Sequence, residues 1–141
     1  MTAAQKSLQS ARIFHIALLV AAIAYIVLPL AIAFDLRQNL GSVLPLAMGF
    51  TCVAILGVAM YLRKRMISPA EEILRSNPED KSMALKWRNG IVISLVFCEC
   101  IVLYGLVLRI LGNSWSVCGI FYSVGIFFML AWWPRLELPP G

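Results

Sequence analysis

Long apolar runs alternate with short polar segments along the whole chain. Nearly unbroken apolar stretches cover 13–34, 43–62, 91–111 and 117–133, with the charged residues gathered between and outside them. About 20 helical residues cross a hydrocarbon core of ~30 Å, and ~17 is the practical minimum. The first three stretches clear that length and the fourth reaches the minimum. Its flanks support it, because Trp115 stands on one side and Trp132 and Trp133 on the other, where tryptophan settles at the two headgroup regions. The alternation of polar and apolar positions that marks a membrane β-strand is missing. The pattern predicts an all-α integral membrane four-helix bundle, a single membrane domain spanning 1–141.

The polar segments set its orientation. Lys6 and Arg12 precede the first stretch. Arg63, Lys64, Arg65, Arg75, Lys81, Lys86 and Arg88 lie between the second and third, and Arg135 follows the fourth. The other side holds Arg37 and Arg109 alone, so ten basic residues face two. Cytoplasmic flanks carry the excess of Lys and Arg, which predicts both termini and the 63–90 loop in the cytoplasm. The short connections 35–42 and 112–116 then make two antiparallel hairpins. The start of the chain also has the ingredients of a cleavable signal, with basic residues, an apolar run and Ala31-Ile32-Ala33. Its apolar run exceeds the 7–15 residues usual for a signal, so an uncleaved anchor is expected.

The 63–90 loop carries helix signals of its own. In Ser68-Pro69-Ala70-Glu71 a serine N-cap, a proline at the first position and a glutamate at the third form a capping box, predicting a short helix near 69–75. Asn77-Pro78-Glu79-Asp80 repeats that grammar, predicting a helix that starts at Pro78 and runs into the third span. Lys86, Trp87 and Arg88 are expected at the headgroups, with Gly90 as a hinge. Arg63, Lys64 and Arg65 form a basic run at the membrane surface that serves as a stop-transfer signal and can meet anionic lipid.

Composition narrows the class further. The 141 residues are 61% hydrophobic and 13% charged, with a mean hydropathy of +0.85. A soluble domain is about a quarter charged, so the lipid bilayer is the expected partner. The net charge of +5 does not indicate nucleic acid, because the positive residues sit beside apolar runs where they direct topology. Cys52, Cys98, Cys100 and Cys118 all lie inside apolar stretches. Without a Cys-x-x-Cys pair, and with one histidine, they are expected as apolar filler rather than as a disulfide or zinc framework. Metalloprotease, nucleophile-elbow and phosphate-loop motifs are missing, so no cofactor is expected and the sequence leans away from an enzyme.

Glu99 stands out near the middle of the third span, 11 residues after Arg88 and therefore roughly 16 Å from the cytoplasmic surface. A charge at that depth costs ~2.5–3.5 kcal/mol or more, which favours the neutral acid unless donors or a cation approach. Tyr25, Thr51, Tyr122 and Ser123 lie at comparable depths of roughly 14–19 Å on the other three helices, so they are candidate partners in an ion-binding cluster. Pro29 frees the carbonyl of Tyr25 at the same level. Two roles follow for Glu99: a proton or cation carrier, or an interhelical hydrogen bond worth ~0.6–2 kcal/mol. His15, one turn into the first span, is expected as an interfacial bystander. Arg109 is expected to reach outward or to meet Asp35. Gly49, Gly57, Gly105, Gly119 and Gly125 are expected at close helix contacts.

From Glu99 to Leu108 the chain reads Glu-Cys-Ile-Val-Leu-Tyr-Gly-Leu-Val-Leu. This resembles the outer helix of the proteolipid c subunits of rotary ATP synthases and ATPases, where a midmembrane glutamate is followed by Tyr-Gly-Leu. The resemblance implies that Glu99 is an ion-carrying carboxylate and Tyr104 the aromatic after it. It covers about ten residues. The glycine-rich inner helix and compact polar loop of that family have no counterpart here. The chain also shares the general plan of small multidrug-resistance transporters, four short helices and one membrane carboxylate. The sequence thus leads to a small polytopic inner-membrane protein of bacterial type that handles protons or cations through Glu99, as a homo-oligomer or within a larger complex. The alternative is a non-catalytic accessory or assembly subunit in which Glu99 is interhelical glue.

Overall fold

The computed structural model describes residues 2–31 and 43–136, and these form helices joined by short turns, with no strand among them. Helix α1 spans Ala3–Ala31, α2 Val43–Leu62, α3 Ser68–Ser76, α4 Lys81–Ile110 and α5 Trp115–Ala131. Three helical segments, Ala3–Ala31, Val43–Ser76 and Lys81–Ile110, are long and apolar enough to cross a membrane; α5 is a shorter apolar helix of 17 residues. The 35–42 connection, Ile32 and Ala33 of the Ala31-Ile32-Ala33 signal, and the expected end of the first span at Phe34 fall outside the described residues.

Helix α1 starts ten residues ahead of its apolar run. Thr2 and Gln5 form a reciprocal capping box: the Thr2 amide donates to Gln5 Oε1 at 2.9 Å, and the Gln5 amide to Thr2 Oγ1 at 3.2 Å. The helix is then held along one stripe, in which Ala4, Ala11, His15, Ala22 and Pro29 are buried while Leu8, Leu18 and Tyr25 pack on the core. Those eight positions step by four and three in turn, the 3.5-residue repeat of a packed helical seam. The seam lies chiefly against α4, and its alanines allow close approach.

Between α2 and α3 the helix does not break. A π turn at Arg63–Ile67 carries it through, with Leu62, Ile67 and Ser68 all in right-handed helical conformation. Pro69 donates no hydrogen bond, and its ring presses on the carbonyl one turn back. A widened turn just ahead of it is a local way to absorb that clash. The expected Ser68 capping box therefore does not form: a cap serves amides orphaned at a helix start, and this backbone is already helical.

The second expected start shifts by three residues. Asn77 ends α3, and Asp80 caps α4 by accepting from the Met83 amide at 3.0 Å. The Pro78 carbonyl instead accepts from the Ala4 amide at 3.0 Å, which ties the start of α1 to this turn. Segment 63–90 is thus a helical extension of the bundle. Trp87 is fully buried, and its Nε1 donates to Glu71 Oε1 at 3.1 Å. It faces α3, where an indole with a carboxylate partner and apolar neighbours is satisfied inside the bundle. Gly90 is no hinge. A Cβ there would stand 2.8 Å from Ile67 Cγ1, so glycine lets α4 lie against the π turn.

Helix α4 is the centre. It packs on α1, α2, α3 and α5, whereas α1 and α2 share little surface with each other. Its contact with α5 is closest at Gly105, whose hydrogen faces the Tyr122 ring, and at Gly125, which faces Val102 and the Cys98 carbonyl. Gly49, Gly57 and Gly119 were also expected at close contacts, but a methyl group on any of them would meet nothing within 4 Å among the described residues. They are not packing glycines among the described residues. The outward faces of α1, α2 and α5 expose Val20, Leu30, Phe50, Val53, Ile120 and Phe127. That apolar exterior matches a lipid surrounding rather than water.

Candidate functional site

Glu99 on α4 faces Tyr25 on α1, the carboxyl and the phenol being near enough to interact electrostatically. Tyr25 arrives there because it is a seam position, between Ala22 and Pro29. Both side chains are half-buried. A phenol facing a carboxyl can donate one strong hydrogen bond, which satisfies a polar group that lipid would otherwise strand.

The other three candidates are not brought to Glu99. Thr51 is exposed, and its Oγ1 donates to the Ala47 carbonyl at 3.0 Å on its own helix. Ser123 is exposed on the outer face of α5. Tyr122 is buried, but its ring fills the space over Gly105, and its hydroxyl has no protein partner among the described residues. Equal depth did not place these hydroxyls together, because depth says nothing of which face a residue occupies. The buried positions of α2 include Cys52 and Ala59, and those of α5 include Cys118, Phe121, Gly125 and Met129. Thr51 and Ser123 fall off those stripes.

A second polar site carries no motif in the sequence. Helix α5 ends at Ala131, short of the π turn and α3, so a step is left in the bundle surface beside the segment 132–136. Two adjoining cavities fill it. One, of about 400 Å³, is lined by Arg63, Glu71, Arg75, Ile91, Trp133 and Arg135 among others. The other, of about 280 Å³, shares Arg63 and Glu71 and adds Lys64, Ser68 and Trp132. The Arg63 guanidinium lies 5.0 Å from the centre of the Trp132 ring, in cation–π contact, while its Nη1 is buried without an acceptor among the described residues. Of the basic residues expected at the surface, Arg63 is thus drawn into the bundle. Lys64 and Arg65 are exposed, with Arg65 donating to the Tyr61 hydroxyl at 2.9 Å. Lys86 is exposed and Arg88 half-buried on α4.

His15, expected at the interface, is buried against Trp133 with ring centres 4.5 Å apart, edge to face, and neither nitrogen has a hydrogen-bond partner among the described residues. The α1 seam turns it inward. Arg109 closes the far end of α4 on itself, donating to the Asn113 carbonyl at 2.9 Å and lying 4.6 Å over the Trp115 ring. Its alternative partner Asp35 is outside the described residues.

Comparison with protein-family models, with curated protein sequences and with solved structures finds no match to this chain.

Proposed function

We propose that this is a four-span protein of a bacterial-type inner membrane, with two antiparallel hairpins and both termini in the cytoplasm, acting as a non-catalytic membrane subunit. In this reading the Glu99 carboxyl is neutral and joins α4 to α1 through Tyr25. The observation that carries it is the separation of the candidate hydroxyls: Glu99 has Tyr25 on a packed seam, while Thr51 and Ser123 face outward and Tyr122 is buried elsewhere. Of the four candidates, Tyr25 alone faces the carboxyl, which falls short of a cage of oxygens around a cation.

The second reading, proton or cation handling, is favoured by the half-exposure of Glu99. A carboxyl not sealed inside its own chain can exchange a proton with a neighbouring surface, and the local resemblance to c subunits points the same way. Glu99→Gln separates the two. The amide keeps the shape and hydrogen-bonding capacity of the protonated acid but cannot release a proton. Under the subunit reading, assembly in mild detergent and growth of cells that depend on the protein stay unchanged. Normal assembly with lost function, partly restored by Glu99→Asp, would transfer the assignment to ion handling.

A further inference from the structure

The step beside the end of α5 has the chemistry of an anion site. Its walls come from three separate parts of the chain: Arg63 from the π turn, Glu71 and Arg75 from α3, and Arg135 with Trp133 from the segment after α5. Glu71 already accepts the Trp87 indole, and Arg75 has an interaction of its own. Arg63 differs, because one guanidinium nitrogen is buried without an acceptor among the described residues. Glu71 lies near its charge, but a buried donor nitrogen left without an acceptor is still costly. Guanidinium forks match phosphate oxygens in geometry as well as charge. Polar surface makes up most of the lining, and Ile91, Leu130 and Leu136 form an apolar margin beside the indole of Trp133. A charged centre with an apolar margin suits a phosphate that carries an acyl chain.

We propose that this cavity binds the phosphate of an anionic phospholipid headgroup, with Arg63 and Arg135 as the principal contacts and Trp132 and Trp133 flanking the glycerol region. The site rests on the membrane reading above, which places the end of α5 at the cytoplasmic headgroup layer, where basic pockets between helices meet lipid phosphate. It does not depend on the role of Glu99.

The test uses the full chain purified in a neutral detergent, with intact-mass spectrometry of the protein–lipid complex and quenching of tryptophan fluorescence by brominated lipid as readouts. Phosphatidylglycerol, phosphatidylcholine and soluble glycerol phosphate are titrated in parallel. Phosphatidylglycerol is expected to bind one per chain and to quench, phosphatidylcholine to bind at least tenfold more weakly, and glycerol phosphate to compete only at far higher concentration. Arg135→Gln, an exposed position, and Arg63→Gln are each expected to weaken phosphatidylglycerol about tenfold or more, the scale of one charge-assisted hydrogen bond. If Arg63→Gln fails to fold, Arg135→Gln alone decides. Glycerol phosphate binding as tightly as the lipid would overturn the lipid assignment in favour of a soluble phosphate ester. Affinity for phosphatidylglycerol unchanged by Arg135→Gln and by any folded Arg63→Gln would remove the site. Extraction of the chain from membranes by alkaline carbonate is a separate outcome that sinks the membrane reading instead.

Discussion

Tyr25 on α1 faces Glu99 on α4, so the one acidic side chain deep in an apolar span has a phenol beside it on the neighbouring helix. The pairing ties two helices that both begin near the 77–80 turn, where the Ala4 amide meets the Pro78 carbonyl.

If this pairing is a structural link, Tyr25→Phe and Glu99→Leu are coupled. Interhelical hydrogen bonds in membranes average ~0.6 kcal/mol and reach ~1.7. A double-mutant cycle on unfolding in mixed micelles should return a coupling in that range. Additive single effects would show that the two groups do not depend on each other.

The packing glycines should separate cleanly from the outward ones. A methyl on Gly125 overlaps the Val102 side chain and stands 3.0 Å from the Cys98 carbonyl, which belongs to a rigid helix. Gly125→Ala is expected to destabilise by ~1–3 kcal/mol. Gly49→Ala and Gly57→Ala meet open space and should leave stability within ~0.5 kcal/mol or raise it through better helix propensity. Thermal unfolding in detergent orders the three. Equal loss at Gly49 or Gly57 would reveal a contact with another chain.

Trp87 links α3 to α4. Trp87→Phe keeps much of the ring but strands Glu71, and hydrogen bonds to charged groups contribute ~1.5–3 kcal/mol. Limited proteolysis should then cut within 68–80 faster than in the parent, while the spans stay protected. An unchanged cleavage rate would mean that α3 is held by its apolar contacts alone.

The existence of the helices was legible because apolar length and charge clustering are one-dimensional signals. Bounds and faces were less so. The start of α1 at Ala3 was readable in Thr2 and Gln5, a capping box displaced from the apolar run it serves. The π turn was not, since it answers Pro69 through backbone geometry that residue types do not encode. Tyr25 could have been singled out by its place in the four-three repeat from Ala4 to Pro29. Thr51 and Ser123 share its depth but miss the buried stripes of their own helices. Arg63 was legible as a charge beside a span. Its turn inward under Trp132 depends on where α5 stops relative to α3, a relation between distant parts of the chain.

The proposed orientation rests on the ten-to-two distribution of Lys and Arg. Single cysteines at Ser76 and Asn113, in a chain lacking its native four, report it. An impermeant thiol reagent outside intact cells is expected to reach Asn113→Cys alone. Labelling of Ser76→Cys instead would invert the topology.

The 17 residues of α5 give a rod of roughly 25 Å, while the hydrocarbon core of an average bilayer is ~30 Å thick. Its neighbours are far longer, so the deficit falls on one flank of the molecule. A bilayer meets such a flank by thinning locally, at a fraction of a kcal/mol per Å. If the chain spans a bilayer as proposed, it should therefore ride in an asymmetric dimple, with its lowest point at α5. Elastic strain of that kind is relieved when two dimples merge or when shorter acyl chains collect there. Thin membranes would favour dispersed copies, and thick ones would press the α5 flanks of separate molecules together.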